Sequence, residues 1–196
     1  MKYTKEYILS GALKQFNVHG VVNVRLQNIA DAVSISVGHL AYHFRNKDAI
    51  IETLYDQLKK KEEIVLKEFR SIPSFDNVNF QLQKIFDLQK EYIFFYVDTL
   101  EILRAHPSIK QKHQSHINWQ VQQIYRMIQY NVSQGAFEQP LYEDQYQLLA
   151  WQVWMMIDNW MYARQTSGLD YLSLYDFLRD VRSLLLPYLN RSGPST

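Results

Sequence analysis

Apolar residues recur along this chain at spacings of three and four, the period of one helix face. Ile8, Leu9, Ala12, Leu13 and Phe16 make the first such face. Thr4 is placed to cap that helix, and His19-Gly20 to close it with glycine in the left-handed position. A short second helix holds Ile29, Ala30 and Val33. Ser34-Ile35-Ser36 then turns the chain, and Ser36 can cap a third helix with Leu40 and Phe44 inward. Asn46 can cap a fourth, whose Ile50, Leu54 and Leu58 fall four apart; it extends to about Arg70, before Pro73. Further on, Phe80, Ile85, Phe86, Leu88, Tyr92, Ile93 and Phe95 predict a fifth helix ending near Tyr96, followed by a short element from Thr99 to His106. Ile109 to about Gln134 reads as a long helix closed by Gly135, Glu143 to Thr166 as another, and Asp170 to about Tyr188 as the last. Strand alternation bounded by turn dipeptides is absent, so the expected fold class is all-α.

Composition narrows the chemistry. The 196 residues are ample for a hydrophobic core, and the absence of cysteine excludes disulfides, thiolate zinc, iron–sulfur ligation and a cysteine nucleophile. The longest apolar run, Tyr92 to Val97, has six residues, against roughly 18 for a membrane span. Nothing at the start reads as a signal peptide, so a soluble, cytoplasmic protein without a membrane partner is expected. Charge is uneven: residues 1–50 carry +3 and the remainder −2, which places any polyanion binding at the N-terminus. No Gly-rich phosphate loop, G-x-S-x-G or H-E-x-x-H occurs, and no catalytic residue or cofactor is assigned. His113 and His116 lie three apart and could share a metal with His106. Zinc needs three or four well-placed ligands, so no metal site is assigned and a solvated helix face is the better reading.

Residues 26–45, LQNIADAVSISVGHLAYHFR, have the spacing of a helix-turn-helix. In that motif a first helix braces a second, which enters the major groove. Small Ala30 sits where the helices cross, and Ile35 plugs the gap between them. Val37, Gly38, His39, Ala41 and Tyr42 are then the outward positions of the second helix. Ser34 stands where such turns usually carry glycine, a residue that enters the left-handed region more easily.

These features bring a family into view. Ile8, Ala12, Phe16, Gly20, Ile29, Ala30, Ser36, Gly38, Leu40, Tyr42, His43, Phe44, Lys47 and Ile50 occur in the order and spacing of the DNA-binding domain of TetR-family bacterial transcriptional regulators, which residues 8–50 resemble. The resemblance implies a three-helix head over residues 1–50 and a ligand-binding and dimerisation body of about six helices over residues 51–196. It places Gln27, Ser36, Val37, Gly38, His39, Tyr42, His43 and Lys47 at double-stranded DNA, in a pseudo-palindromic operator, and Arg25, a departure from the family, is expected to add a phosphate contact. Tyr42, His43 and Lys47 would donate to phosphates, whereas Gln27 and His39 are the base-reading candidates. Ala41 departs from the tyrosine usual there, and Arg25 stands where Ser or Thr often caps the second helix.

The body is rich in aromatics, most of which are core. An aromatic cluster with a few polar groups also suits a small-molecule effector, and Phe94, Tyr96, Asp98, Glu101, Arg104, Trp119, Gln122, Tyr125, Trp151 and Trp154 are the candidates. In the family the last two helices pair with their twins. Leu148, Leu149, Met155, Trp160, Leu178, Val181 and Leu185 offer more apolar surface than one face normally exposes, which points to a homodimer interface. The expected function is a ligand-released repressor. Two other readings stay open here: a regulatory adaptor whose body binds a protein, and a helical enzyme whose hairpin merely resembles a DNA reader.

Overall fold

The predicted apolar rows of the first four helices become their inward sides, whereas Phe80, placed in the fifth, is exposed. In the computed structural model, which describes residues 5–71, 77–169 and 171–190, α1 runs Lys5–His19 and buries Ile8, Leu9, Ala12 and Phe16. It is followed by α2 (Leu26–Ala32), α3 (Val37–His43), α4 (Lys47–Ser71), α5 (Val78–Glu91) and α6 (Ile93–Ala105). Then come α7 (Pro107–Ser133), α8 (Gln145–Thr166) and α9 (Leu174–Leu185), which ends in a 3-10 turn at Leu186–Tyr188. Among the described residues β-structure amounts to one isolated bridge, Phe137 with Leu189, and the fold is all-α. No helix among them is long and apolar enough to cross a membrane. Thr4, Pro73 and Asp170, which the pattern put at helix ends, lie outside the described residues.

Two of the expected helices are divided differently. The predicted fifth helix, running through Tyr92 to Tyr96, is broken at Tyr92, and a new helix starts at Ile93. The cause lies far back in sequence: the Phe94 N–H, which a helix start leaves without an intrahelical acceptor, donates to Asn17 Oδ1 at 3.2 Å. Asn17 Nδ2 meanwhile donates to the Glu91 carbonyl at 2.8 Å, so one α1 side chain serves both ends of the break. The short element expected from Thr99 is part of α6, which kinks at Asp98. The last helix begins at Leu174, where Ser173 Oγ accepts the Asp176 N–H at 3.2 Å.

The chain forms two compact units, the first of residues 1–60 with 91–112, the second of residues 61–90 with 113–196. In the first, Phe16 packs on Phe94 and Tyr55 on Phe95, with ring centroids 5.5 and 5.2 Å apart. Lys112 pairs with Asp56 at 2.8 Å and Ser108 bonds Glu52 at 2.7 Å, fastening the start of α7 to α4. The α2–α3 turn is a Schellman motif: the Ser34 N–H donates to the Asp31 carbonyl and the Ile35 N–H to that of Ala30, both at 3.0 Å. Ser34 accordingly takes φ = 55°, the conformation its glycine-preferring position demands.

In the second unit Phe86, Trp160 and Phe177 form an aromatic core with centroids 5.4 to 6.0 Å apart. Trp160 Nε1 donates to Asp180 Oδ2 at 3.1 Å, joining α8 to α9. This corrects part of the expected dimer surface. Leu149, Trp160, Val181 and Leu185 are buried within the protomer, because α8 and α9 pack on each other and on α5. Leu148 and Met155 are exposed and Leu178 is half-buried.

Gly11 marks the closest approach in the head, since a Cβ there would collide with Cγ1 of Val33. Gly11→Ala should lower unfolding stability by about 1–3 kcal/mol in urea titrations. In the Gly11→Ala/Val33→Ala double variant the loss should be smaller than the sum of the two single losses; strict additivity would disprove the contact.

Candidate functional site

Helix α3 is built from very few residues. Ser36 caps α3, its Oγ accepting the His39 N–H at 3.1 Å, and Leu40, with no exposed surface, anchors the helix from below. Opposite it lie Gly38, His39 and Ala41, all exposed, and Tyr42, whose side chain is 84% exposed. Val37 and His43 are half-buried at the flanks. The His43 ring meets Tyr42 edge-on at 5.3 Å and His39 at 5.5 Å, so the three aromatic side chains form one continuous outer ridge. With a bare Gly38 beside them, they make a surface that offers donors and ring faces and lets a backbone come close.

Two expected DNA residues carry additional duties. Lys47 donates from Nζ to the carbonyls of Val21 and Val24, at 2.9 and 3.0 Å, which occupies two of its three N–H groups. Those carbonyls belong to the turn between α1 and α2, so Lys47 braces the segment that presents Arg25. Gln27 is exposed but donates from Nε2 to Asp31 Oδ1 at 2.7 Å, a bond it must exchange in order to pair with a base edge. Arg25 is exposed at the N-cap of α2, its own N–H donating to Asn28 Oδ1 at 2.8 Å.

The ten effector candidates fall into different surroundings. Phe94, Tyr96 and Asp98 belong to the packing of the first unit, where Asp98 Oδ2 accepts the Val21 N–H at 3.0 Å. Residues 91–112 pack with residues 1–60, apart from the second-unit candidates. Glu101 and Arg104 are exposed on α6, and Gln122 on α7. In the second unit Trp119 stacks on His116 at 5.4 Å. Trp154 donates from Nε1 to Gln120 Oε1 at 3.1 Å and stacks on Trp151 at 4.9 Å. Tyr125 lines an open cleft of about 470 Å³ with Tyr142, Tyr146 and Gln129.

His113 and His116 do not lie on a solvated face. Both are buried, as is His106, because Ile109, His113, His116, Gln123 and Met127 form the inward row of α7. His116 Nε2 meets Glu62 Oε2 at 2.7 Å. Burial holds the His113 imidazole down at about 4, a fall that Glu62 opposes and His116 reinforces. Asp158, half-buried on α8, is pushed up to about 7, first by burial and then by Glu62. Among the described residues no group of three or more His, Cys, Asp or Glu is placed to hold a metal ion.

Known proteins agree on what such an arrangement is. Residues 8–54 match the family model of bacterial regulatory proteins of the tetR family, and residues 52–196 match that of a bacterial transcriptional repressor. The chain belongs to the TetR family of transcriptional regulators. It is 30% identical to a TetR-family transcriptional regulator from Marinobacter aquaeolei, covering 98% of this chain and 93% of that one with a TM-score of 0.86. A transcriptional regulator from Saccharomonospora viridis, solved in complex with choline, shares the fold at 19% identity (TM-score 0.75, 95% and 97% covered). The probable acrEF/envCD operon repressor of Escherichia coli is 31% identical over 62 residues, 32% of this chain. That match spans 28% of the E. coli protein, less than a third of its length.

The α3 ridge brings together the expected DNA-contacting positions of this TetR-family regulator, whereas the inward row of α7 is the part that sequence reasoning missed. A spacing of four, three, seven and four from Ile109 to Met127 carries the signal, but histidine and glutamine at three of its positions mask it.

Lys47→Ala should cost about 1–3 kcal/mol of unfolding stability, since it strips charged donors from two carbonyls; an unchanged urea midpoint would show that the brace is idle. The two titrations run in opposite senses. The folded state holds the Asp158 proton to higher pH than the unfolded state does, so this group destabilises increasingly as pH rises from about 4 to about 7. His113, depressed, adds stability as pH rises from about 4 to its ordinary 6.5. Asp158→Asn should therefore gain stability relative to wild type across pH 4 to 7, and parallel curves for the two proteins would refute the shift.

Proposed function

We propose that this regulator is a homodimeric repressor whose two heads read a pseudo-palindromic operator and whose second unit releases them when it takes a small effector. The observation that supports this best is the α3 ridge, with Leu40 wholly buried beneath an almost wholly exposed Tyr42. A side chain so exposed in the last turn of a short helix contributes little to folding. As a phenol next to a half-buried imidazole, it is suited to donate to phosphate oxygens. On this reading Gly38 allows close approach, His39 and Gln27 meet base edges, and Arg25, Ser36, Val37, His43 and Lys47 border the contact. The head is the portion up to residue 50, and residues from 51 onward serve sensing and pairing.

Leu148 and Met155 on α8, with Leu178 on α9, are the remaining expected positions with surface to give to a twin subunit. A twofold dimer fixes the separation of the two reading helices. An effector lowers DNA affinity only if it binds better to a dimer whose heads are wrongly spaced. The choline bound to the S. viridis regulator shows that a relative of this fold takes a small molecule, and this chain is proposed to do likewise.

Fluorescence anisotropy against the DNA upstream of the regulator's own gene and a scrambled control, across a salt series, tests the reading. Tight, salt-steep and sequence-selective binding is expected, and Tyr42→Phe should weaken it by about 5- to 10-fold on both DNAs alike. Absence of binding at low salt to these DNAs and to a random-sequence pool would overturn it.

A further inference from the structure

The loop between α7 and α8 is fastened at several points, so the cleft beside it has fixed walls. The Ala136 and Phe137 N–H groups both donate to the Asn131 carbonyl, at 2.9 and 3.1 Å. The Glu138 N–H donates to the Tyr188 carbonyl and the Asn190 N–H to that of Ala136, each at 2.9 Å, which ties the loop to the segment that follows α9. Tyr146 on α8 donates from its hydroxyl to the Glu138 carbonyl at 2.6 Å, and the buried Gln145 accepts the Leu141 N–H on Oε1. Phe137, only 1% exposed, pins the base of the loop inside the second unit.

The cleft of about 470 Å³ lies wholly within the second unit, between the last turns of α7, this loop and the first turn of α8. Small-molecule sites run from about 300 to 1,000 Å³, so the space suffices for one. Tyr125, Tyr142 and Tyr146 supply ring surface to its wall, and Val132 and Pro140 add apolar surface. Gln129 bonds the Tyr125 hydroxyl at 2.8 Å and holds that ring on the α7 side. Glu143 and Asp144 line the same cleft, and among the described residues its lining includes no Lys, Arg or His. Asp144 is the N-cap residue of α8 yet makes no side-chain cap bond, which leaves its carboxylate to other partners.

We propose that this cleft is where the second unit takes its effector, and that the effector is an organic cation, with its charged head on Glu143 and Asp144 and its apolar body along the tyrosine rings. The proposal rests on the reading that the second unit senses a small molecule, and it names the place and the class. A cation gains here from two separate sources: charge-assisted hydrogen bonds to the carboxylates, and the negative faces of the rings. An anion would be repelled by both, with no basic side chain in the lining to offset them. A neutral guest of the same shape keeps the packing and forgoes the charge. The N-terminus of α8 opposes a cation, but it carries about half a charge against the two full charges of the acids.

Calorimetric titrations of the full-length protein with 2-phenylethylammonium, beside 2-phenylethanol and 3-phenylpropionate, test this. The amine should bind about 5- to 30-fold tighter than the alcohol, and the carboxylate should not bind. Glu143→Gln/Asp144→Asn should lose that preference; both positions are exposed, and asparagine tolerates the positive φ of 23° that Asp144 takes. Tyr142→Ala removes a side chain that is 58% exposed, and should weaken amine binding severalfold without disturbing the fold. Alcohol or carboxylate binding equal to that of the amine overturns the cation class. Amine affinity unchanged in both variants, or no binding by any of the three compounds, overturns the site. Anisotropy on upstream DNA, with and without saturating amine, keeps the two readings apart. DNA affinity that is present but unmoved by bound amine overturns the effector role of the cleft, whereas DNA binding absent from the outset is a failure of the regulator reading alone.

Discussion

A seven-residue helix has no stability of its own in water, since helices shorter than about 12–15 residues are marginal even with good formers. Everything in the head serves to hold α3 in place regardless. Ser36 starts it, Leu40 and Phe44 fasten its inner side, the Ser34 turn sets its angle to α2, and α4 follows at once with Asn46 capping the Ala49 N–H at 3.0 Å. The outer ridge is then free of any folding task, which is why residues as different as glycine, histidine and tyrosine can share it. Placement of the ridge is inherited from the frame, so damage to Gly11, far from the ridge in sequence, reaches it through the packing beneath.

The second unit follows another logic. A core that only had to be stable would hold leucine where α7 places His113, His116 and Gln123. Imidazoles and amides buried there carry desolvation penalties that apolar residues would avoid. Their opposed titrations show the same tension: one group resists taking a proton and its neighbour across the cluster resists losing one. Beside them, Phe86, Trp160 and Phe177 supply an aromatic core to the unit.

Much of this was legible in the residues. The rows of α1 to α4, the Ser36 and Asn46 caps and the Gly20 terminus follow from local chemistry, and the helix-turn-helix spacing led to the TetR family directly. What escaped notice depended on partners distant in the chain. Nothing near Tyr92 announces a helix break, because the acceptor that stabilises it is Asn17. Asp98 looks like a pocket carboxylate until the Val21 N–H is found against it. Apolar residues on α8 and α9 look like surplus surface in the sequence because their mutual burial is a property of the pair. The histidines of α7 read as solvated because polar side chains usually are, whereas their spacing matches that of the apolar Ile109 and Met127.

The turn between α1 and α2 has few backbone partners of its own and is closed by side chains that come later: Lys47 on the Val21 and Val24 carbonyls, Asp98 on the Val21 N–H. On a ribosome the last of these arrives long after the turn itself, roughly 4 to 15 s at about 5–20 residues per second. The nascent head therefore waits, loosely formed, until α6 has been made. A gene fragment that stops after residue 50 encodes every residue expected at the DNA but omits the α6 carboxylate that closes the fold around them.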